Sequence, residues 1–379
     1  MNRTIIDVSI LHTVPPSNMN RDDTGSPKTA VYGGVRRARV SSQAWKRATR
    51  LGFSEHLDRD QLGQRSKRVV ENLADRIQSL GENVAAADAL AVAEEVFAAA
   101  GIKVAAPKTK KSEEALPAEA GYLLFLSNLQ LDHLARIALE ALAADDRKES
   151  IKAAAPKKSL HLDHSVDLAL FGRMVADSSD LNVDASTQVA HAISVHAVEP
   201  EFDYFTAVDD AKQANEDEID QGAAMIGQVE FNSSTLYRYA TVDVDLLQRN
   251  LGSTEATARA VEAFLQAFIT SMPTGKQNTF ANRTLPDAVV VSLRDTQSVN
   301  LVGAFEEAVT AQPRISAAAQ RLADYAGEVD NNFGTTPVAS WVVANSATAS
   351  PLSALGTKST VAELVAQVGA AVADRTRGE

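Results

Sequence analysis

The first 51 residues combine an alternating strand with a two-faced helix, and this pattern limits how the chain can begin to fold. Over residues 4–13, aliphatic side chains alternate with Asp7 and Ser9, as expected of a half-buried β-strand. A loop rich in Asn, Asp, Gly and Pro follows to about Pro27, and residues 35–40 are again compatible with an extended strand.

The next segment predicts a helix, with Ser41 or Ser42 as its N-cap. On a helical wheel Trp45 shares one face with alanine and leucine residues, which predicts that this face is buried. The opposite face is polar and cationic, and it consists of Gln43, Lys46, Arg47 and Arg50.

The charge of this region is opposite to that of the whole chain. Residues 1–50 hold nine lysines and arginines against three aspartates, about +6, although the chain carries −12. A local cationic excess in an acidic protein indicates a site for a polyanion. The alternative that the residues leave open is a solvated basic face that balances the acidic remainder.

Length and composition narrow the class of protein. The 379 residues suffice for two or three domains, and the absence of cysteine excludes disulfides and cysteine-ligated zinc. No apolar run is long enough to span a bilayer, and no secretion signal is evident, so we expect a cytoplasmic protein without a membrane partner.

Further along, helical and strand patterns alternate. Residues 103–117 and 153–159 are expected to be exposed loops. The acidic segment 199–225, which carries Phe202, Tyr204 and Phe205 near its start, is expected to be a loop or hairpin. A hairpin of strands 225–231 and 235–244 is predicted next, and a buried strand over 288–293. The predicted helices span 65–80, 84–100, 121–145, 165–177, 184–197, 253–271, 297–310, 312–328 and 359–376.

Without the helical insertion, the order is strand, helix, strand, strand, helix, strand. This α+β order is that of the ferredoxin-like fold, which RNA-recognition domains share. The order alone does not specify a function.

The cationic stretch contains the strongest candidate binding residues. Arg21 and Lys28 lie on the loop before the helix, and Ser41 and Ser42 add hydroxyl and N–H donors at its start, as phosphate oxygens require. In PTGKQN (273–278), Lys276 is a possible donor to a phosphate or a neighbouring subunit, but the P-loop pattern is absent.

Candidates for chemistry are weaker. His161, Asp163 and His164 lack a third placed ligand, so neither a metal site nor a cofactor is predicted. Asp22 and Asp23 suit a capped loop better than a cation site. The chain is therefore predicted not to be an enzyme. Met174 is more often a core residue at such spacing, and the pattern does not decide its role.

Several motifs in register resemble one family. Residues 20–50 (NRDD, YGG, RR, SSQ and KRA in order) are similar to the opening of the CasC family, the backbone subunit of the type I-E CRISPR Cascade surveillance complex. Further similar motifs are FGRMVAD (171–177), VDASTQVAHAISVH (183–196), DYFTAVDD (203–210), YRYA (237–240) and PTGKQN (273–278).

This resemblance implies a fold and a role. The expected architecture is an RNA-recognition-motif-like palm (1–59 and 180–379), a helical fingers insertion (60–179) and a thumb hairpin (199–225). The implied function is a non-catalytic scaffold in antiviral defence, which forms an oligomeric filament on the guide RNA (crRNA). The implied partners are the guide RNA, the target DNA strand, copies of the chain and other Cascade subunits.

Matched position by position, the resemblance implies roles for individual residues. Met174 would pack against a displaced base or sugar, and the thumb would include Phe202, Tyr204 and Phe205. The residues implied to hold the RNA backbone are Lys28, Ser41, Gln43, Lys46 and Arg50.

Two other functions stay open at this point. One is a metal-dependent RNA nuclease of a CRISPR effector that uses Asp22 and Asp23, or His161 and His164. The other is an acidic helical assembly protein that binds no nucleic acid.

Overall fold

The computed structural model describes residues 3–107, 116–175, 177–207 and 225–377. The described helices are α1 (Ser42–Gly52), α2 (Val69–Leu80), α3 (Ala86–Ala99), α4 (Asn128–Leu142), α5 (Arg147–Ala154), α6 (Pro156–Ser159), α7 (Val166–Phe171), α8 (Val244–Leu251), α9 (Thr254–Thr270), α10 (Gln277–Phe280), α11 (Arg314–Phe333), α12 (Ser346–Leu352) and α13 (Val361–Thr376). The described strands are β1 (Ile5–Ser17), β2 (Thr29–Tyr32), β3 (Val35–Val40), β4 (Gly63–Ser66), β5 (Val104–Ala105), β6 (Glu119–Ala120), β7 (Leu124–Ser127), β8 (Thr187–Val189), β9 (Ala192–Ser194), β10 (Glu201–Ala207), β11 (Met225–Asp243), β12 (Ala288–Arg294), β13 (Ala339–Ala344) and β14 (Thr357–Lys358).

The chain divides into two compact units, and the fold is a mixed α+β one. Unit 1 comprises Met1–Leu51, Val189–Thr241 and Phe264–Ala371. Unit 2 comprises Gly52–Gln188, Val242–Ala263 and Val372–Glu379. Each unit thus combines segments that are distant in sequence.

A mostly antiparallel sheet forms the frame of unit 1. Its strands follow the order β14-β13-β12-β1-β11-β9-β3-β2, and β1 pairs with β12 from Ile5↔Arg294 to Leu11↔Ala288. The pair β13–β14 is parallel, whereas β12–β13, β11–β9, β9–β3 and β3–β2 are antiparallel. Strand β1 is buried on both faces over most of its length, and it therefore lies at the centre of the sheet.

Arg37 joins the β2–β3 hairpin to the rest of unit 1. Its side chain is fully buried, and the guanidinium donates to the backbone oxygens of Tyr32, Ser194, Phe305 and Glu306 at 2.9–3.1 Å. A guanidinium presents donors in a fixed planar fork, so four carbonyls can be satisfied at once. This arginine is therefore part of the core and not of the cationic surface.

A second buried arginine holds α1 against the sheet. Arg238 on β11 lies with its guanidinium carbon 3.7 Å from the centre of the Trp45 ring and 4.7 Å from that of Phe268. It donates to the Phe268 carbonyl and contacts His12 Nδ1 at 3.2 Å. Cation–π contacts of this kind are worth about 2 kcal/mol or more when desolvated. The predicted burial of Trp45 is confirmed.

Helix packing forms the core of unit 2. Apolar residues of α2, α3 and α4 pack in one cluster that includes Leu73, Val92 and Leu134. Arg76 on α2 forms an ion pair with Asp132 on α4. Two short antiparallel pairs, β4–β7 and β5–β6, accompany these helices.

The prediction of a helix over 184–197 is wrong. This segment contains strands β8 and β9, and Ile193 of β9 pairs with Arg39 of β3 and with Tyr237 of β11. The segment contains the β-branched residues Val189, Ile193 and Val195, and such residues suit a pleated surface between two strands. Pairing with distant strands outweighs the local helical spacing.

The predicted hairpin of 225–231 and 235–244 is also wrong. Residues 225–243 form one continuous strand, β11, without a turn at 232–234. The first part of β11 pairs with β10, from Glu201↔Phe231 to Ala207↔Met225. Of the segment 199–225, in which a loop or hairpin is expected, the structure describes β10, which pairs with the first part of β11. Residues 208–224 lie outside the described part of the chain.

Other boundaries differ from the predictions. The helix expected over 121–145 begins only at Asn128, because the residues before it form β7. The helix expected over 165–177 ends at Phe171, because Gly172 has φ +76°. The segment 297–310 contains only a 3₁₀ turn, Leu301–Phe305. Residues 153–159 are largely helical and not a loop, whereas part of 103–117 lies outside the described residues. The predictions for β1, β3, α1, α3, α9, β12, α11 and α13 are confirmed to within a few residues.

We predict that His12 makes folding sensitive to acid. Burial, followed by the charge of Arg238, lowers the pKa of His12 from 6.5 to about 3. Between these values the unfolded chain binds a proton that the folded protein does not, so stability falls as the pH falls, by up to about 1.4 kcal/mol per pH unit.

The His12→Gln variant tests this effect, because glutamine keeps an N–H donor and does not titrate. Its free energy of unfolding in urea should depend less on pH between 6.5 and 4.5 than that of the wild type, by about 1.4 kcal/mol per unit. Equal slopes for the two proteins would contradict the assignment.

Candidate nucleic-acid interface

The N-terminus of α1 is organised by Ser41 and Asn20. Ser41 is buried, and its Oγ accepts a hydrogen bond from the Ala44 N–H at 3.3 Å, so Ser41 is the N-cap. The Ser41 N–H donates to Asn20 Oδ1 at 2.7 Å. The Ser41 hydroxyl is therefore used within the helix cap, whereas Ser42 is half-buried and its N–H donates to His191 Nδ1 at 3.4 Å.

The outer face of α1 has the composition that the sequence predicts. Gln43 and Arg47 are exposed, and Lys46 and Arg50 are half-buried. Burial lowers the pKa of Lys46, but the aliphatic stem of a lysine can lie on the protein while its ammonium reaches water. Together these four side chains form one polar and cationic helix face.

The loop before β2 is held in shape by its own polar residues. Asp22 Oδ1 accepts hydrogen bonds from the Thr24 N–H and hydroxyl and from the Ser26 N–H, at 2.7–3.0 Å. The hydroxyl of Thr24 is the largest contribution that lowers the pKa of Asp22. The interpretation of Asp22 as a loop-capping residue is confirmed. Arg21 in this loop is exposed and Lys28 at its end is half-buried.

Asn18 and Asn20 connect this loop to its neighbours. The amide of Asn18 donates to the carbonyls of Gly25 and Glu230 at 2.9 and 2.8 Å, which joins the loop to β11. The Asn20 carbonyl accepts from the Lys28 N–H at 2.9 Å, while its side chain binds the start of α1. Lys28 is thereby placed beside the N-terminus of α1.

The PTGKQN segment lies against the same loop. A Cβ at Gly275 would overlap the backbone of Met19, so only glycine permits this approach. Residues 19–25 and Gly275 border a cavity of about 570 Å³ with a mainly polar lining. Lys276 follows in the left-handed conformation (φ 49°) and is half-buried. The structure thus brings Lys276 close to the loop that carries Arg21.

Five cations of this surface have the same electrostatic environment. Among the described residues, no carboxylate lies within ion-pair distance of Arg21, Lys28, Lys46, Arg47 or Lys276. The segments that carry them are joined by the contacts of Asn18, Asn20 and Gly275. This arrangement favours a bound polyanion over internal neutralisation.

The β10–β11 hairpin presents two aromatic side chains to solvent. Phe202 and Tyr204 are 56% and 65% exposed, and their spacing of two puts them on one face of β10. Phe205 differs, because its ring covers Gly227 on β11 and is half-buried. Two of the three aromatic residues predicted for the thumb are therefore available for contacts.

Met174 is an exposed residue of unit 2. It is 82% exposed, next to Arg173, whose buried guanidinium donates to the carbonyls of Leu181, Phe125 and Leu160. The backbone of Arg173 also pairs with Val183. The structure places Met174 at the surface and not in the core, because the turn held by Arg173 directs the next side chain outward.

The side chains of His161 and Asp163 do not face a common site. His161 faces Asp180 at 3.6 Å, whereas Asp163 faces His133 at 3.5 Å. Within the described ranges, no group of three His, Cys, Asp or Glu residues could hold a metal ion. In the same part of the chain, no helix is both long enough and apolar enough to cross a bilayer.

Sequence reasoning missed Arg39 and His191. Arg39 Nη1 lies 3.4 Å from His191 Nδ1, beside Lys28, although 152 positions separate the two residues in sequence. His191 occurs in the segment that was predicted to be helical, so only the strand pairing reveals this neighbourhood. The alternation of Arg37 and Arg39 was visible, but the burial of Arg37 was not.

We predict that Asn20→Ala loosens the loop 21–27. The variant loses the hydrogen bond to the Ser41 N–H, worth about 1 kcal/mol, and local opening should become about fivefold more frequent. Limited trypsin digestion should then cleave faster after Arg21 and Lys28. Asn278→Ala, at an exposed site, serves as the control. Equal cleavage rates for both variants would show that Asn20 does not hold the loop.

Comparisons with known proteins identify the family of the chain. Residues 6–367 match the Cas_CT1975 family model, described as CT1975-like protein. No curated protein matches the chain. A subunit of a solved "CRISPR RNA-guided surveillance complex, pre-nicking" is similar with a TM-score of 0.82 and 34% identity, over 97% of this chain and 100% of that one. A subunit of a "CRISPR RNA-guided surveillance complex" has a TM-score of 0.72 and 29% identity, over 97% and 99% of the two chains. The chain belongs to the family of CT1975-like proteins.

Proposed function

We propose that this protein is a scaffold subunit that binds the guide RNA in a CRISPR surveillance complex. The observation that carries the proposal is the cationic face of α1 with the adjoining Lys28 and Lys276, in a chain similar over 97% of its length to subunits of RNA-guided complexes. The sequence-independent part of RNA binding requires cations in series along a backbone.

The type of complex and the parts of the subunit can be assigned more finely. We infer a CasC-type backbone subunit of a type I-E Cascade complex that acts in the cytoplasm, because motifs over residues 20–50 resemble that family. The sheet of unit 1 would form an RNA-recognition-like palm, assigned to 1–59 and 180–379. The helices within 60–179 would form the fingers, and 199–225 the thumb.

Copies of the chain would assemble along the RNA, and the guide would then pair with a target DNA strand. The exposed Phe202 and Tyr204 support a thumb that contacts bases, since aromatic rings stack on any base. Met174 is available for a similar contact. Other Cascade subunits would complete the complex.

The proposal includes a non-catalytic role. The carboxylate of Asp22 is occupied by Thr24 and Ser26 within its own loop, which favours a structural role over metal binding. The alternative is a nuclease that uses Asp22 and Asp23. Magnesium-dependent cleavage of RNA that disappears in Asp23→Ala would establish the alternative and refute the scaffold in its non-catalytic form.

We predict that Lys46→Ala with Arg50→Ala weakens binding of single-stranded RNA about tenfold or more, since charge-assisted contacts are lost. Each phosphate contact contributes about 0.7 to the slope of log K against log salt, so the slope should become shallower by about 1.4. Fluorescence anisotropy at several salt concentrations measures both quantities.

The matched control removes two charges from the same unit. Arg321→Ala with Lys358→Ala changes the net charge equally, on α11 and β14. Its salt slope should stay that of the wild type. If both double variants behave alike, the cationic face of α1 is not the binding surface.

A second prediction concerns assembly. Phe202→Ser with Tyr204→Ser should leave the unfolding midpoint unchanged, because both rings are exposed, but should abolish regular nuclease protection of the RNA. Phe333→Ser, which is 75% exposed on α11, is the control. Regular protection that persists in the double variant would refute the thumb assignment.

A further inference from the structure

Three polar side chains converge beside the N-terminus of α1. Arg39 donates through Nε to the Thr29 carbonyl at 3.1 Å, and its Nη1 contacts His191 Nδ1 at 3.4 Å. The Arg39 N–H donates to the Lys28 carbonyl at 2.9 Å. Arg39 and Lys28 are half-buried and His191 is exposed. Arg39 and His191 are thus in contact, and Lys28 is near enough for its charge to act on His191.

His191 is fixed as a neutral donor. Its Nδ1 accepts from the Ser42 N–H and from Arg39, so the ring proton must reside on Nε2. Partial burial, followed by the charges of Arg39 and Lys28, lowers the pKa of His191 and favours this neutral form. The free Nε2–H is a hydrogen-bond donor without a partner among the described residues.

The charges around this point are of one sign. Lys28 belongs to the loop, Arg39 to β3, and the N-terminus of α1 adds a partial positive charge. Among the described residues, no carboxylate lies within ion-pair distance of Lys28, Arg39 or His191. Like charges held together repel each other, and a bound anion would relieve that repulsion.

A cavity of about 420 Å³ opens directly beside Arg39 and His191. Arg39 and His191 form its polar edge together with Asn300, and the other lining residues are apolar or aromatic: Ala30, Val31, Tyr32, Ala190, Ile193, Tyr237 and Val302. The Tyr32 hydroxyl donates to the Val302 carbonyl, and the Tyr237 hydroxyl lies 3.1 Å from Ser9 Oγ. The walls are therefore held in place before any ligand binds, and the volume lies within the range of small-ligand sites.

We propose that this is a subsite for one nucleotide of the bound RNA, in which Lys28, Arg39 and His191 bind the phosphate and the adjoining cavity receives the base. An anion with a planar apolar group fits both halves of the site, because phosphate needs convergent donors and an unpaired base needs apolar and aromatic walls. The inference rests on the proposed function and extends it, since it assigns a base-holding site to the edge of the sheet formed by β2 and β3.

The test measures binding of the full chain to a single-stranded RNA oligomer and to an abasic ribose-phosphate oligomer of equal length, at pH 8. Arg39→Ala should bind RNA about tenfold more weakly, with a salt slope shallower by about 0.7. His191→Ala should bind about fivefold more weakly with an unchanged slope, because a neutral donor releases no counterion. His191→Gln keeps an N–H and should bind within about twofold of the wild type.

The cavity is tested separately. Ala30→Leu should weaken binding of RNA about fivefold and leave binding of the abasic oligomer unchanged. Val31→Trp, at a position 76% exposed, provides a second variant that folding tolerates. Arg36→Ala is the charge control, because Arg36 lies on the face of β3 opposite to Arg39. Each variant should unfold within about 2 °C of the wild type.

The outcomes separate the two proposals. If Lys46→Ala with Arg50→Ala weakens binding while Arg39→Ala and His191→Ala match Arg36→Ala, the subsite is refuted and the proposed function stands. If the cavity variants weaken both oligomers equally, the base does not occupy the cavity. If the wild type binds no RNA, both proposals fall.

Discussion

The position of α1 depends on a guanidinium buried between two aromatic rings. Arg238 lies between Trp45 and Phe268, and burial lowers its pKa to about 9. A buried charge is costly unless each donor finds a partner. The Phe268 carbonyl and the neutral His12 each accept one N–H, Nε has no hydrogen-bond partner among the described residues, and the two rings supply the remaining stabilisation. Because Trp45 is one of these rings, the inner face of α1 is fixed, and its cationic face must point away from the sheet.

Two other arginines follow the same physical rule with carbonyl oxygens in place of rings. Arg37 binds four backbone carbonyls of unit 1, and Arg173 binds three of unit 2. In each case a residue one or two positions further along the chain lies at the surface in a defined orientation. Arg39 reaches His191 because Arg37 holds the hairpin, and Met174 is exposed because Arg173 holds its turn.

The sequence predicts those parts of the structure that local periodicity determines. The strand β1, the helix α1 with its buried Trp45, and the cap at Ser41 are confirmed. The segment around Ile193 shows no strict alternation of polar and apolar residues, because all three positions of β9 are buried. The continuity of β11 through 232–234 was also missed, because turn-forming residues there are accommodated inside a long strand. For the site, the cationic face was predictable, but the burial of Arg37 and the contact between Arg39 and His191 depend on pairing over more than 150 positions.

The long sequence separation of these contacts has a consequence for synthesis of the protein. Arg37 requires the carbonyls of Phe305 and Glu306, and β1 requires β12 as its neighbour. A nascent chain that has exposed only its first hundred residues therefore has the cationic residues but not the frame that orders them. Such contacts form late, because closing long loops is entropically unfavourable until both partners are present. Because Arg37 can bind its last carbonyl only after translation has passed Glu306, we expect an unfinished chain to compete poorly with the complete protein for RNA.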